Sequence, residues 1–178
     1  MHSKKVESAA SWPALAFFAL LVSSVLLVSC ATSPLVLSAV GPEQPIPHTR
    51  GGTGYLVVHT DTEERRIDKG VPYYLHTGYV INPTSGNESK WVANHVGDMD
   101  QMPEQVSLPA GTYEVVARST SYGRVHAPVV IEASRTTEVR LDRSGHRNPQ
   151  FLRGPNTNLV RLPDGEIVGW QAVQPRAK

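Results

Sequence analysis

The stretch LPAGTYEVVAR, residues 108–118, contains a turn and a strand from which the rest of the chain can be interpreted. Pro109 fixes φ and Gly111 permits a positive φ, so the backbone is predicted to reverse there. Beyond the turn, the apolar residues Tyr113, Val115 and Ala117 recur at a period of two. This period is typical of a β-strand with one buried and one solvated face.

Leu108, Gly111 and Tyr113 together resemble the tyrosine corner of β-sandwiches. In such a corner the phenol hydroxyl hydrogen-bonds to a backbone group a few residues upstream. A bond of this kind contributes about 1 kcal/mol and holds the turn in place. We therefore assign Tyr113 to structure rather than to a functional site.

Two further alternating segments follow the corner, and the residues predicted to share one face are Val125, Ala127, Val129 and Ile131, then Thr137, Val139 and Leu141. Short turns join the segments, so we expect a three-stranded antiparallel meander that packs on the first half of the chain. Pro128 cannot donate to a ladder and predicts an edge strand or a change of sheet. The predicted fold is all-β: an antiparallel sandwich of about seven strands plus a C-terminal hairpin.

A family resemblance covers residues 108–142, which read LPAGTYEVVARSTSYGRVHAPVVIEASRTTEVRLD. This segment resembles the second half of carboxypeptidase regulatory-like domains, which are transthyretin-like sandwiches related in shape to fibronectin type III. The resemblance implies an Ig- or transthyretin-like sandwich without catalytic activity of its own. The first half departs from the family pattern, because the usual small-residue segment for the first strand pair is missing.

The first half is predicted to contain a buried strand at 55–60, a charged loop at 61–69 and a hairpin. The hairpin pairs Val71–Ile81, bent at Gly78, with Trp91–Val96 across a long tip of turn-forming residues. The tip carries an Asn87-Glu88-Ser89 sequon, which we interpret as accidental.

The N-terminus has the layout of a secretory leader. Lys4 and Lys5 precede an apolar run from Ala14 to Val28, which is interrupted by two serines. The run ends in Leu27, Val28, Ser29 and Cys30, which resembles the lipobox of bacterial lipoproteins. An uncleaved signal anchor is the alternative, since the run is only slightly short of a membrane span.

The lipobox resemblance implies cleavage before Cys30 and a covalent lipid on its sulfur. Cys30 is the chain's one cysteine, so it has no disulfide partner within the chain. Several acyl chains, at about 0.8 kcal/mol per buried methylene, would hold the protein at a membrane. Ala31 favours the outer membrane, because an aspartate at this position tends to retain lipoproteins at the inner one.

Composition divides the chain into a signal peptide (1–29), a lipidated cysteine with a proline-rich tether (30–50), the sandwich (51–143), and a loop with a C-terminal β-hairpin (144–178). Prolines at 34, 42, 45 and 47 favour an extended spacer. Alternatively, Leu35–Val40 docks on the domain as an edge strand. The terminal hairpin is predicted around Pro163-Asp164-Gly165, with Trp170 packed on the sandwich or on a partner.

Charge and motifs exclude several function classes. The chain has 17 basic and 16 acidic residues, and loss of the leader leaves 15 of each, so no basic stripe is available for nucleic acid. No nucleophile elbow, zinc-protease helix, phosphate loop or dinucleotide fingerprint occurs. We therefore expect a non-enzyme without a cofactor other than the lipid.

One loop offers a possible metal site. His95 precedes Asp98, Asp100 and Glu104, and carboxylates two residues apart can supply oxygen ligands. An acidic surface loop without a metal is the simpler interpretation, since no full calcium-loop pattern follows. His59, His76, His95 and His126 all fall on strands or strand ends, where a lone histidine is usually a packed or surface residue.

Two functions remain as hypotheses. The first is a non-catalytic, membrane-anchored envelope lipoprotein whose sandwich loops bind a protein or a glycan, with exposed Tyr and Trp residues as contacts. The second is a metal-binding or metal-dependent hydrolytic protein that uses His95, Asp98 and Asp100. We expect the functional residues to lie before the tyrosine corner, in the irregular half.

Overall fold

Strands dominate the computed structural model, which describes residues 33–43, 51–66, 70–86, 88–97, 99–148 and 158–172. The described elements belong to the compact unit that begins at Pro34. In chain order they are β1 (Leu35–Val36), β2 (Val40–Gly41), β3 (Thr53–His59), β4 (Thr62–Arg66), β5 (Pro72–His76), β6 (Tyr79–Pro83), β7 (Lys90–Val92), β8 (Gln105–Pro109), β9 (Gly111–Ser119), β10 (Gly123–Ile131), β11 (Thr136–Arg140), a 3₁₀ turn (Gly145–Arg147), β12 (Leu159–Arg161) and β13 (Ile167–Gln171).

These strands form an all-β sandwich, which confirms the predicted fold class. The larger sheet has the order β12-β13-β2-β10-β9-β6-β7, with β1 also paired to β10. The smaller sheet has the order β11-β3-β8, and β4 and β5 form a separate two-stranded sheet. The core includes apolar residues that recur at a period of two on the inner faces: Leu56, Val58, Val115, Ala117, Val125, Ala127, Val129, Ile131, Val139 and Leu141.

The tyrosine corner is where the chain passes from one sheet to the other. β8 lies in the smaller sheet and β9 in the larger, and Ala110 alone separates them. The Tyr113 hydroxyl donates to the Pro109 carbonyl at 2.9 Å, as predicted, and Leu108 is buried. The predicted positive φ at Gly111 is wrong. The chain crosses between the sheets here instead of reversing, so a left-handed residue is not needed.

The predicted meander is correct for its first two strands and wrong for the third. β9 and β10 pair antiparallel along their full length. β11 does not join β10, but pairs parallel to β3 in the smaller sheet. The reason is that both edges of β10 are occupied, by β9 on one side and by β1 and β2 on the other.

Pro128 lies within an interior strand, so the prediction of an edge strand is wrong. On one side of β10, His126 is opposite Val36 of β1 and Val129 is opposite Val40 of β2. Pro128 falls between these two positions, where the parallel partner is interrupted. A residue without an N–H is tolerated there because no continuous ladder requires its donor.

The segment after Ser33 belongs to the sandwich and is not part of a tether. β2 lies inside the larger sheet, parallel to β10 and antiparallel to β13, and Val40 is fully buried. The predicted domain start at residue 51 is therefore too late, and the alternative of a docked strand is the closer one. Apolar burial of Leu37 and Val40 outweighs the extended preference of the neighbouring prolines. The remaining tether residues, 30–32 and 44–50, lie outside the described ranges.

The first half differs from its prediction in two segments. β3 and the β6–β7 hairpin occur as expected, with Ile81 opposite Lys90. The charged segment predicted as a loop contains β4, whose exposed residues pair with β5. Cross-strand pairing, rather than burial, orders this segment, so hydrophobic periodicity did not reveal it. The predicted strand Val71–Ile81 is divided into β5 and β6.

The C-terminal hairpin is confirmed. β12 and β13 pair antiparallel around a turn in which Gly165 has a φ of +89°. β13 also pairs with β2, so the hairpin extends the larger sheet and is not a separate appendage. No helix within the described ranges has the length and apolar character needed to span a bilayer.

Candidate functional site

The ends of three strands bring a cluster of ionisable side chains together. His59 ends β3, His76 ends β5, Glu138 lies in β11, and Asp142 follows two residues after β11. The parallel register places Arg140 opposite His59, so Glu138 and Asp142 flank that histidine on the same face of β11. One potential ligand atom each from His59, His76 and Asp142 lies within 4.8 Å of the others. We call these four ionisable residues, with Arg140, the histidine cluster.

His59 is positioned by a carboxylate on each side. Its Nε2 lies 2.9 Å from Glu138 Oε1, and its Nδ1 lies 3.9 Å from Asp142 Oδ2. Burial raises the pKa of Glu138, but the hydrogen bond from His59 and the charge of Arg140 outweigh burial, so this pKa lies below its usual value. An ionised carboxylate can only accept, which assigns the proton to Nε2. In the neutral ring, Nδ1 therefore presents a lone pair toward Asp142.

His76 is held in the complementary tautomer. Its Nδ1 lies 2.8 Å from the carbonyl oxygen of Thr60, which can only accept, so Nδ1 carries the proton and Nε2 the lone pair. The side chain is 7% exposed, and burial lowers its pKa, aided by the nearby His59 and opposed by the Thr60 bond. The two imidazoles meet edge to face with ring centroids 5.6 Å apart. His76 is thus held neutral beside His59.

A buried asparagine fixes the backbone under this cluster. Asn94 has a φ of +68°, and its amide nitrogen donates to Val58 O at 2.9 Å and Thr60 Oγ1 at 3.0 Å. Its side-chain oxygen accepts from the Glu104 N–H at 3.1 Å. Thr60 Oγ1 in turn donates to Thr77 O at 2.7 Å. These bonds tie the end of β3 to the residue after β5 and so fix both histidines.

The two carboxylate oxygens of Asp142 have different surroundings. Ser144 donates to Oδ1 from its hydroxyl at 2.6 Å and from its backbone N–H at 3.1 Å. Arg140 donates to Ser144 Oγ at 2.7 Å and pairs with Glu138. Oδ2 is consequently the oxygen that faces His59. The carboxylate is partly shielded from solvent, with 17% of its side chain exposed.

A second feature lies on the outer face of the larger sheet, where β6, β7, β9 and β10 line a groove of about 510 Å³. The Trp91 indole is 67% exposed and lies across Gly78, where a Cβ would come within 2.7 Å of Trp91 Cζ2. Across the sheet, Trp91 is opposite Val80. Arg118 and Arg124, opposite each other on β9 and β10, also line the groove. We call this surface the Trp91 groove.

A polar network lies on the same sheet face. His126 Nδ1 is 3.0 Å from Glu114 Oε1, and Asn82 donates to the other Glu114 oxygen at 3.1 Å. The hydrogen bond from His126 lowers the pKa of Glu114, with a smaller contribution from Asn82. Ser89 donates to Asn82 at 2.7 Å. This network holds the β6–β7 hairpin against β9.

The sequence-predicted metal loop does not form the histidine cluster. Among the described residues, the group able to share an ion is His59, His76 and Asp142, and it does not contain His95, Asp100 or Glu104. Asp100 Oδ1 instead accepts from the Met102 N–H at 2.9 Å. Asp98 and the lipobox residues, including Cys30, lie outside the described ranges.

Sequence reasoning missed Glu138 and Asp142, and it treated His59 and His76 as unrelated. A partial signal existed, because Glu138, Arg140 and Asp142 alternate and so share one strand face. Their proximity to His59 depends on a parallel pairing of β11 with β3 that the sequence does not indicate. Comparisons with protein families, with curated protein sequences and with solved structures found no match.

Proposed function

We propose that this chain is a non-catalytic lipoprotein of the bacterial envelope, anchored through a lipid on Cys30, whose sandwich binds a glycan in the Trp91 groove. The leader and the lipobox-like Leu27–Cys30 support the anchor, and Ala31 favours the outer membrane. The resemblance to carboxypeptidase regulatory-like domains implies a domain without catalytic activity of its own, and it does not name a ligand.

The exposed indole of Trp91 is the observation that carries the glycan proposal. Sugar rings have an apolar face that can stack on an aromatic ring, and binding sites commonly combine such a platform with a few fixed polar groups. Val80 and Val116 continue the apolar surface beside Trp91. A glycan chain could therefore lie along the groove with one face on the indole.

Arg124 favours a glycan that carries anionic groups, because it supplies a guanidinium to the groove. Arg118 lies opposite Arg124 on the neighbouring strand, but Asp61 at 3.1 Å and Glu63 at 3.2 Å already compensate its charge. Planar guanidinium groups donate in pairs to carboxylate and phosphate oxygens, which occur on acidic sugars of bacterial envelopes. A protein partner has less support here, because one aromatic side chain, Trp91, provides the exposed platform of the groove.

The test is a fluorescence titration of the full-length chain in detergent. Trp12 and Trp170 are changed to Phe so that Trp91 is the remaining one of the three tryptophans. Soluble peptidoglycan fragments and envelope polysaccharide should change its emission with saturation. Trp91→Ala, followed by calorimetry, should weaken binding at least about tenfold, or about 1.4 kcal/mol.

Tyr74→Ala is the matched control, because Tyr74 is a 47% exposed aromatic residue on β5, outside the larger sheet. This variant should bind glycans like the parent. Equal affinities of the Trp91→Ala and parent chains, or crosslinking in the envelope that captures proteins and no glycan, would refute the glycan assignment.

A further inference from the structure

We propose that His59 Nδ1, His76 Nε2 and Asp142 Oδ2 bind a divalent transition metal ion such as Zn²⁺. The three side chains come from three separate segments, and one ligand atom from each lies within 4.8 Å of the others. This site goes beyond the glycan-binding function and does not depend on it. It also differs from the acidic loop at 95–104 that the sequence suggested.

The tautomers of the two histidines are the main argument. A metal-bound imidazole uses one nitrogen for the ion and donates the N–H of the other to a carboxylate or a backbone carbonyl. His59 donates to the Glu138 carboxylate at 2.9 Å, and His76 donates to the Thr60 carbonyl at 2.8 Å. In each histidine, the ring nitrogen that donates to this acceptor is the one that the ion would not use. The remaining lone pairs belong to His59 Nδ1, which lies 3.9 Å from Asp142 Oδ2, and to His76 Nε2.

The distance between His59 and Asp142 fits an ion better than a direct bond. Nδ1 and Oδ2 are 3.9 Å apart, which is too far for a hydrogen bond. Ligands about 2.1 Å from a tetrahedral zinc ion lie about 3.4 Å from each other. A side-chain rotation that shortens the gap by about half an ångström would place both atoms in that range.

The surrounding contacts hold the ligands in place before an ion arrives. Ser144 fixes Asp142 through its other oxygen, and Asn94 holds Thr60, the acceptor of His76. Arg140 donates to Glu138 and to Ser144 Oγ, and neither bond uses Asp142 Oδ2. Such preorganisation reduces the cost of binding, because few side chains must become ordered.

The ligand set indicates the class of metal. Two imidazoles and one carboxylate suit Zn²⁺, Cu²⁺ or Ni²⁺, whereas Ca²⁺ and Mg²⁺ prefer sites made of oxygen. Three protein ligands leave a fourth position for water or an external ligand. The ion would also join β3, β5 and the end of β11, so binding should stabilise the fold.

The experiment uses the full-length chain in detergent, stripped with a chelator and then titrated with ZnCl₂. We expect one Zn²⁺ per chain by elemental analysis and calorimetry. At a hundredfold excess over Kd, Tm should rise by about 5–10 °C. Asp142→Asn keeps the side-chain shape and the acceptor for Ser144, and should weaken binding at least about a hundredfold. Glu138→Gln, which removes the negative charge shared by His59 and Arg140, should weaken Zn²⁺ binding about 10- to 100-fold.

His126→Gln is the matched control. His126 forms a similar pair with Glu114 at 3.0 Å, but it is not in the group of ligand atoms around Asp142. The affinity of the His126→Gln chain for Zn²⁺ should equal that of the parent. The metal-free Asp142→Asn chain should unfold with a parent-like Tm, which separates lost binding from lost folding.

Three results would each overturn the proposal. The first is the absence of stoichiometric binding. The second is parental affinity in Asp142→Asn or in Glu138→Gln. The third is loss of the ion in Asp100→Asn with retention in Asp142→Asn, which would place the site in the loop at 95–104.

Discussion

The Tyr113 hydroxyl contributes to stability through one hydrogen bond, to Pro109 O at 2.9 Å. Burial raises the pKa of this hydroxyl, which keeps it protonated as a donor. Tyr113→Phe removes the donor but leaves the ring, and the exposed Pro109 can hydrogen-bond to water instead. We expect a loss of about 1 kcal/mol in the free energy of unfolding, measured in urea. Glycan and Zn²⁺ binding should not change.

A loss above about 3 kcal/mol would contradict this account, because it would exceed what a single solvent-accessible hydrogen bond contributes. A change in Zn²⁺ affinity would contradict the structural assignment of Tyr113. Thr112→Ala, a change at an exposed neighbour on the same strand, serves as the control.

Single residues were predictable from the sequence where their partners are local. Tyr113 and Pro109 are four residues apart, so the corner could be predicted from spacing alone. His59 and Glu138 are 79 residues apart, and their contact depends on a particular parallel register. A hydrophobic pattern shows which face of a strand is buried, but not which strand lies beside it. The histidine cluster therefore required the structure.

At the scale of elements, β2 tests whether the proline-rich segment is a spacer or a part of the fold. Val40 lies in β2 and is fully buried, whereas Val36 in β1 is 63% exposed. Val40→Asp would place a charge in the core and lose about 1.5–3 kcal/mol of apolar burial. We expect the free energy of unfolding to fall by more than about 3 kcal/mol, or the chain not to fold.

Val36→Asp is the matched control for this prediction. It adds the same charge four residues earlier in a strand of the same sheet, and we expect a change within about 0.5 kcal/mol. Urea unfolding of both variants and the parent gives the comparison. Similar stability of the two variants would restore the spacer interpretation.

Strand existence was more predictable than strand pairing. The alternation in β9, β10 and β11 indicated three strands with buried faces, and all three occur. β11 nevertheless joins β3, because β10 already has partners on both edges. Those partners include β1 and β2, two-residue strands that are too short for a periodic signal. The sequence allowed Leu35–Val40 to dock as an edge strand, but it did not indicate that β1 and β2 pair with β10 and so exclude β11 from that edge.

At the scale of the whole molecule, both candidate sites combine residues from the two sides of the tyrosine corner. His59 and His76 precede it, whereas Asp142 follows it. The Trp91 groove likewise joins β6 and β7 to β9 and β10. Both candidate sites therefore differ from the expectation that the functional residues lie before the tyrosine corner. In a sandwich, residues distant in sequence become neighbours across a sheet or at its ends, and chain order does not reveal this.

Membrane attachment is the prediction that concerns the protein as a whole. If Cys30 is lipidated, the chain expressed in a bacterial host with its own leader should incorporate an alkyne-labelled fatty acid. It should also partition into the detergent phase after membrane extraction. Two or three acyl chains anchor a protein stably, whereas one chain binds only reversibly. Cys30→Ser removes the acceptor sulfur and should abolish the label.

Ser29→Ala is the control, because it changes the neighbouring residue but keeps the sulfur, and it should retain the label. The labelling result also separates the lipoprotein from an uncleaved signal anchor. If the leader is an uncleaved signal anchor, the parent and both variants should keep the full-length mass and stay attached to the membrane. The parent should then carry no label. A labelled Cys30→Ser chain would place the lipid elsewhere and contradict the assignment of Cys30. A lipoprotein requires two results together. The parent is labelled and has the mass of a lipidated chain that begins at Cys30, and the Cys30→Ser chain is unlabelled.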